Sequence, residues 1–457
     1  MSAPDMPLSL EASLRIGREM TGHSGTFFKT PNIPYEVWSA KSKDNDVLAL
    51  KRRLLRAVPE IFIPADFVQA KQYLLNRARQ LEPMTRIQLL DCYSGAKRNR
   101  YRLAMENLDM SPLEKRHFEI ASFVKRERFD DYQKYPRMVH HREYEAIFEM
   151  LRYIKPLEHF LYKKKIRVNS FQSIGTNVAK GMNGNERYEA IYNKFNNFDR
   201  CEVLSLDCSS FELHTSYEYL EYENEIMESH YKNDKYFRWI CSNLLDNKGR
   251  TQNGVKWARR GGRVSGDAHT GFGNTMFMLL VMIQYAYDHP NFKFDVLSDG
   301  DDTLMFYEQG TLQAEDIISH FARAGHELRV DGIARAIEDI IFCQHRFIEG
   351  CMVRDPKEIL EKSLVVVNSL TEVSPRDYFA GVGKGLLAVY GVIPEMVPIF
   401  TKMANLNPES PITNQYWLKH PQVGKLPPGR IFDLFGSDCS SAIEEAENLV
   451  SYLQQGE

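Results

Sequence analysis

Phe292-Lys293-Phe294-Asp295-Val296-Leu297-Ser298-Asp299-Gly300-Asp301-Asp302-Thr303-Leu304-Met305-Phe306 reads as two short apolar strands joined by an acidic glycine turn, which is a hairpin signal. The turn presents Asp301 and Asp302. About ninety residues earlier a second apolar run, 202–206, ends at Asp207, and Glu212 follows at the start of a helical pattern. If these strands pair side by side, three carboxylates converge. Clustered carboxylates repel and raise one another's pKa unless a cation neutralises them, so the pattern implies a metal. Hard oxygen donors suit Mg²⁺, with Mn²⁺ as a substitute. Two such ions about 3.5–4 Å apart suit phosphoryl transfer, activating an attacking hydroxyl and stabilising the leaving oxygen.

Between the two strands lies Ser265-Gly266-Asp267-Ala268-His269-Thr270-Gly271-Phe272-Gly273-Asn274, a small, polar, glycine-rich loop that runs into a long apolar helix. Such a loop lets backbone and hydroxyl groups approach a ligand closely, and the Asn274 amide suits a sugar hydroxyl. Periodicity predicts further helices over 46–57, 64–81, 113–125, 211–231, 274–288 and 313–324, a strand over 340–344, and Pro-divided helices beyond 356. A loop is expected over 21–45. The whole reads as a strand-containing core between two mainly helical lobes.

Composition bounds the function. At 457 residues, 43% hydrophobic and 26% charged, the chain is a folded globular protein, not a disordered, collagenous or coiled-coil one. Seven scattered cysteines without a C-x-x-C exclude a zinc ribbon or disulfide framework. No stretch reaches the ~18 apolar residues of a membrane span, and no secretory signal opens the sequence. The formal charge of −3 hides 18 Lys and Arg against 11 Asp and Glu between residues 97 and 167. Within that stretch Lys97, Arg98 and Arg100, and Lys163-Lys164-Lys165, are candidates for tracking the phosphates of a nucleic acid, with Tyr101 available for stacking. The 381–385 stretch imitates a P-loop without its first glycine or its Ser/Thr, and His140-His141 lacks metalloprotease spacing.

The three acidic and glycine-rich blocks together resemble motifs A, B and C of viral RNA-dependent RNA polymerases: D-x4-D/E, S-G-D-x-x-T-x3-N and G-D-D. The likeness is strongest to the tombusvirus-like (carmovirus-like) replicases. Ser94-Gly95-Ala96-Lys97-Arg98 with Tyr101 and Ala104 is similar to that family's fingers signature. Phe123-Val124-Lys125-Arg126-Glu127 with Pro136-Arg137-Met138-Val139 and Arg142 resembles its motif F. Asn253-Gly254-Val255 before Gly262-Arg263-Val264-Ser265 resembles its approach to motif B. Ile341-Phe342-Cys343-Gln344 resembles motif E, and Met352-Val353-Arg354-Asp355-Pro356-Lys357 resembles the thumb segment. The match runs over about 94–364. Glu212, where the family usually has Asp, and His269, where it usually has Asn, depart from the pattern and bear on sugar selection, for which the 2′-hydroxyl is the handle.

The resemblance implies an α+β right-hand polymerase with a palm of antiparallel sheet plus helices. Expected boundaries are 1–200 for fingers (with an extension over 1–60), 201–215 and 262–350 for palm, 216–261 for an insertion and 351–457 for a mainly helical thumb. It implies RNA-templated RNA synthesis from NTPs with de novo initiation. Asp207, Asp301 and Asp302 would hold two Mg²⁺ ions, while Glu212, Ser265, Gly266, Asp267, Thr270 and Asn274 position ribose and template. Lys125 and Arg137 would meet the NTP phosphates, with Arg126, Arg128 and Arg142 as further channel residues. His326 would be a general acid for pyrophosphate. Expected partners are template and nascent RNA and membrane-associated replicase proteins, in host-cell cytoplasm, with this chain a portion of a larger replicase product. The rival readings are a reverse transcriptase and a non-catalytic RNA-binding replicase subunit.

Overall fold

The Phe294–Asp299 and Asp302–Glu308 strands pair antiparallel with Asp299 opposite Asp302, so Gly300 and Asp301 are the turn. Gly300 has φ +75°, a left-handed value that glycine adopts without a Cβ penalty. In the computed structural model, which describes residues 8–16, 36–58, 61–129, 135–366, 373–410, 418, 420–436 and 439–455, this hairpin is the centre of a six-stranded sheet. The order across the sheet is Leu328–Ala334, Cys201–Cys208, Asp302–Glu308, Phe294–Asp299, Phe171–Gln172 and Arg167–Val168. Leu206 lies opposite Thr303 and Asp207 opposite Arg329, which brings Asp207 beside the hairpin turn.

Alternation along these strands gives the sheet two apolar faces. Leu204, Leu206, Val296 and Met305 join a core with the Thr270–Asp288 helix, whose Phe277, Met278, Val281 and Met282 are fully buried. Val203, Leu297, Leu304 and Phe306 face the other way, onto Ile191, Phe342, Phe347 and Met352. A helix that is apolar nearly all round is stable only when enclosed like this.

A second sheet has five strands, in the order Ala12–Ile16, Val255–Arg260, Asp246–Thr251, Ile120–Val124 and Met138–His141. Its Trp257 and Val124 pack on the Lys43–Leu50 helix and on Leu54 just beyond it. The C-terminal helices Pro356–Ser363, Pro375–Tyr390, Val397–Ala404, Arg430–Phe435 and Ser440–Gln455 enclose a separate core around Phe379, Phe400 and Leu449. The result is a mixed α/β fold of several sheets flanked by helices, consistent with a palm-like core. No described helix is long and apolar enough to cross a membrane.

Several expected elements differ. The 113–125 helix is a short Lys115–Phe118 turn followed by a strand, because the alternating burial of Ile120–Val124 suits a sheet. The 211–231 helix breaks after His214 and restarts at Tyr217, capped by the Ser216 hydroxyl. The carbonyls of Glu212 and Thr215 are taken there by the N–H groups of Arg263 and Gly262, at 3.0 and 2.8 Å. The 46–57 helix passes into a π-turn at Lys51–Leu55, and the 64–81 helix is Val68–Leu75 after a 3-10 turn. The 340–344 stretch is a turn with Cys343 and Gln344 at positive φ, and the strands come later, at Arg346–Ile348 and Cys351–Val353. Most of the expected 21–45 loop lies outside the described residues.

Candidate active site

Three adjacent strands end in a row of acids: Asp207, Asp302 and Asp299, with Asp301 in the turn between the last two. Burial raises the Asp301 carboxyl, and the charges of Asp207 and Glu212 push it further up. Burial also drives Asp302 up, to about 7, with Asp301, Asp207, Asp299 and Asp331 adding repulsion. Asp299 behaves differently. Burial pushes it up too, but the Lys180 ammonium at 2.7 Å and the Arg187 guanidinium outweigh that and hold it low. Asp207 is ion-paired with Arg329 on the neighbouring strand.

The Ser265–Asn274 block is built against this row. Its helix starts at Thr270, earlier than periodicity predicts, so Asn274 sits in the second turn. The Asn274 amide faces the Asp301 carboxylate and partly offsets its rise in pKa, while its Oδ1 is buried without a partner. Thr275, which sequence reasoning missed, accepts from the Gly300 N–H at 3.0 Å and donates to the Gly271 carbonyl at 2.8 Å. The Thr270 hydroxyl donates to the Val264 carbonyl at 2.7 Å, and Ser265 Oγ accepts from the His140 N–H at 3.2 Å. A Cβ on Gly266 would collide with the His140 carbonyl oxygen. Glycine is required there because of close approach.

Two members of this region face inward. Asp267 takes both nitrogens of Arg142, at 2.6 and 3.2 Å, and Arg142 also donates to the Phe118 carbonyl and Asn247. Arg142 is 2% exposed. It is therefore a buried brace of the loop, which corrects its placement in a phosphate channel. His269 is equally enclosed: Nε2 lies 3.2 Å from Glu223, which binds Arg263 through two bonds of 2.8 and 2.6 Å. Its ring addresses that ion pair and not a sugar.

Lys125 and Arg137 share Glu127, at 3.2 and 2.5 Å. Arg53, on the π-turn and unforeseen from sequence, belongs to the same group. Burial lowers its pKa, and it feels the charges of Glu212, Arg137, Glu127 and Arg329. Buried Arg259 supports this edge by donating to the carbonyls of Leu54 and Leu213, which neighbour Arg53 and Glu212; burial brings its pKa down to about 10. Arg53 lies in the basic run Lys51-Arg52-Arg53, which marks a charged segment but not which member faces Glu212. Arg126 is half-buried on the same segment, and the Arg128 side chain lies outside the described residues.

The outer candidates divide. Lys97 and Arg100 are exposed on the Gly95–Met110 helix, with Lys97 over the Tyr93 ring, and Arg98 caps the Leu90 carbonyl and Asp91. Lys163, Lys164 and Lys165 are exposed. Tyr101 is 4% exposed, packed against Tyr93, Tyr144 and Phe148, so it is a core residue and not a stacking platform. His326 is 1% exposed against Phe277 and Phe211; burial, with the His214 charge, lowers its pKa to about 3. An acid that weakly basic and that deep cannot protonate pyrophosphate at neutral pH, which corrects the general-acid expectation. His140 is buried, bonded to Ser122 Oγ at 2.8 Å, and Lys384 of the imitation P-loop donates to the Pro408 carbonyl.

Among the described residues no three His, Cys, Asp or Glu side chains converge tightly enough to hold a metal ion in this conformation. The donor set nonetheless has the chemistry of a hard-cation site. It offers carboxylate oxygens only, and the burial and mutual repulsion that together lift Asp302 to about 7 are what a divalent cation would offset.

A family model described as viral RNA dependent RNA polymerase matches residues 50–446. The chain is similar to the RNA-directed RNA polymerase of tobacco necrosis virus (strain A), at 28% identity over 334 residues, 70% of this chain and 45% of that one. It is also similar to those of groundnut rosette virus (strain MC1), at 29% identity over 66% of this chain and 36% of that one, and oat chlorotic stunt virus (isolate United Kingdom), at 27% over 70% and 44%. It thus spans less than half the length of these curated relatives.

Proposed function

Because the chain belongs to the viral RNA-dependent RNA polymerases, with the tombusvirus-like replicases among its relatives, we propose that it extends RNA from NTPs on an RNA template by nucleotidyl transfer to a 3′-hydroxyl, with de novo initiation. The observation that carries this reading is the row of carboxylates at the ends of three adjacent strands, with the Asn274 amide facing Asp301 in the turn beside it. Asp207 and Asp301, supported by Asp302, would hold Mg²⁺ or Mn²⁺. When bound, such ions lower the pKa of the attacking hydroxyl and neutralise charge on the leaving pyrophosphate.

The chain's own groups do the rest. Lys125, Arg137 and Arg53 receive the triphosphate, the arginines through paired hydrogen bonds. Glu127 keeps them in place until then. The Asn274 amide faces Asp301 and offers its unpartnered Oδ1 to a ribose hydroxyl. A buried acceptor without a donor costs about 1–3 kcal/mol, so a 2′-hydroxyl is favoured over a bare carbon. Ser265 and Gly266 hold the loop against the second sheet, Asp267 does so through Arg142, and Thr270 ties the loop to the Val264 carbonyl. Glu212 adds negative charge facing Arg53 and Arg137.

In this reading residues 1–200 form fingers, 201–215 and 262–350 palm, 216–261 an insertion and 351–457 thumb. Lys97, Arg98, Arg100 and Lys163 to Lys165 line the RNA path. Membrane-associated replicase proteins recruit the enzyme in host-cell cytoplasm. The test is RNA-templated NTP incorporation with Mg²⁺ or Mn²⁺. Wild type should incorporate and Asp301→Ala should lose at least about a thousandfold in rate; equal incorporation by both would sink the assignment. NTPs competed against dNTPs separate this reading from a reverse transcriptase.

A further inference from the structure

The carboxylate row is bracketed by cations on two sides. Strand order puts Arg329 at one end, beside Asp207. At the other end, residues 177–179 run along the outer edge of the Phe294–Asp299 strand. Asn177 and Ala179 exchange backbone hydrogen bonds with Ser298, at 2.9 and 2.8 Å, and this delivers Lys180 to Asp299.

The segment is firmly built. Asn177 Nδ2 donates to Asp295 and to the Val296 carbonyl, at 3.1 and 3.0 Å, and Lys194, buried completely, pairs with Asp295 at 3.0 Å and holds the Ile174 carbonyl at 2.8 Å. The Lys180 stem crosses two glycines: a Cβ on Gly271 would lie 3.0 Å from its Cε, and one on Gly300 3.9 Å from its Nζ. Lys180 thus has a seat between the start of the long helix and the hairpin turn.

Lys180 and Arg187 both pair with the carboxylate of Asp299. Arg187 is the more enclosed, 13% exposed against 30% for Lys180, and its other nitrogen donates to Cys343 Sγ at 3.3 Å. The Lys180 ammonium has three donors, and Asp299 takes one.

The cations proposed for the triphosphate stand at the opposite end. Arg53 feels Glu212 and Arg329, and Arg137 feels Glu212. In an in-line displacement the attacking hydroxyl and the leaving pyrophosphate lie on opposite sides of the reacting phosphorus. With pyrophosphate at the Arg53–Arg137 end, the strand that carries the attacking hydroxyl comes to the Lys180 end. We propose that Lys180, steadied by Asp299 and Arg187, binds the terminal phosphodiester of the nascent RNA strand. This rests on the polymerase reading and adds a subsite residue to it.

The test measures binding of an RNA hairpin with a recessed 3′ end, without nucleotide or metal, by fluorescence anisotropy across a salt series. Wild type is compared with Lys180→Met and Lys180→Arg, and single-stranded template RNA is the control. Each neutralised phosphate contributes about 0.7–0.9 to the slope of log affinity against log salt. Lys180→Met should lower the slope by about that amount and weaken recessed-end binding about tenfold at low salt. Single-strand binding should stay unchanged, and Lys180→Arg should keep the slope. Lys180→Gln, which retains a donor for Asp299, repeats the comparison if the methionine variant melts early. An unaltered slope in both neutral variants, or an equal loss on single strands, overturns the assignment. A wild type that binds recessed-end RNA yet never incorporates NTPs would instead overturn the polymerase reading.

Discussion

Glu223 stabilises the site from underneath, and its acidity sets a pH limit. Burial pushes its carboxyl up, but Arg263 and His269 outweigh that and hold it at about 2, below the ordinary ~4.3. A depressed carboxyl pKa contributes stability that is fully present above the unfolded value and lost as pH falls from about 4 towards 2. Glu223→Gln should therefore cost about 3–5 kcal/mol at pH 7, by stranding buried Arg263, and should flatten the acid limb of stability. Urea melts between pH 2 and 7 check both. Asn274→Ala removes the acceptor offered to the ribose. The ratio of kcat/KM for NTP over dNTP should then fall about tenfold, with the NTP value falling most. Sequence made Asn274 and the acids legible because they lie in short, ordered motifs. It did not show that Arg142, Tyr101 and His326 point inward. Tyr101 sits on a helix whose other face is polar, Arg142 and His326 sit in links between elements, and what buries each is a distant partner: Phe148, Asp267 or Phe277.

At the scale of elements, the braces between loop, helix and turn matter most. Thr275→Val keeps shape but strips the Gly300 N–H of its acceptor. We expect about 1–2 kcal/mol of lost stability and a drop in kcat that exceeds any change in NTP KM, read from thermal melts and steady-state incorporation. Gly266→Ala forces a methyl into the His140 carbonyl and should cost about 1–3 kcal/mol while loosening the loop. The hairpin was readable because its strands are contiguous, apolar and joined by two residues. The second sheet was not. Asp246–Thr251 is polar throughout, and Ile120–Val124 pairs in parallel with it from more than a hundred residues away. The break after His214 was hidden too, because what fixes it is the backbone of Gly262 and Arg263.

Across the whole molecule, the described residues form separate apolar cores, and the C-terminal helices have one of their own, joined to the sheet side through Val389 and Tyr390. Such a division predicts calorimetric unfolding in more than one step. Phe400→Ala, at a fully buried position in the C-terminal core, should lower one transition by about 3–5 kcal/mol and leave the other in place. A single transition that shifts as a unit would show that the cores melt together. The long helix ties the largest of these cores to the chemistry. Of two neighbouring residues of that helix, Thr275 holds the Gly300 N–H and Asn274 faces the Asp301 carboxylate beside it. In the proposed reading, choosing the sugar and aiming the acid are thus mounted on one stiff lever. A substitution that slackens the lever to gain speed also slackens discrimination, so variants selected for faster copying should carry a raised error rate in the same step.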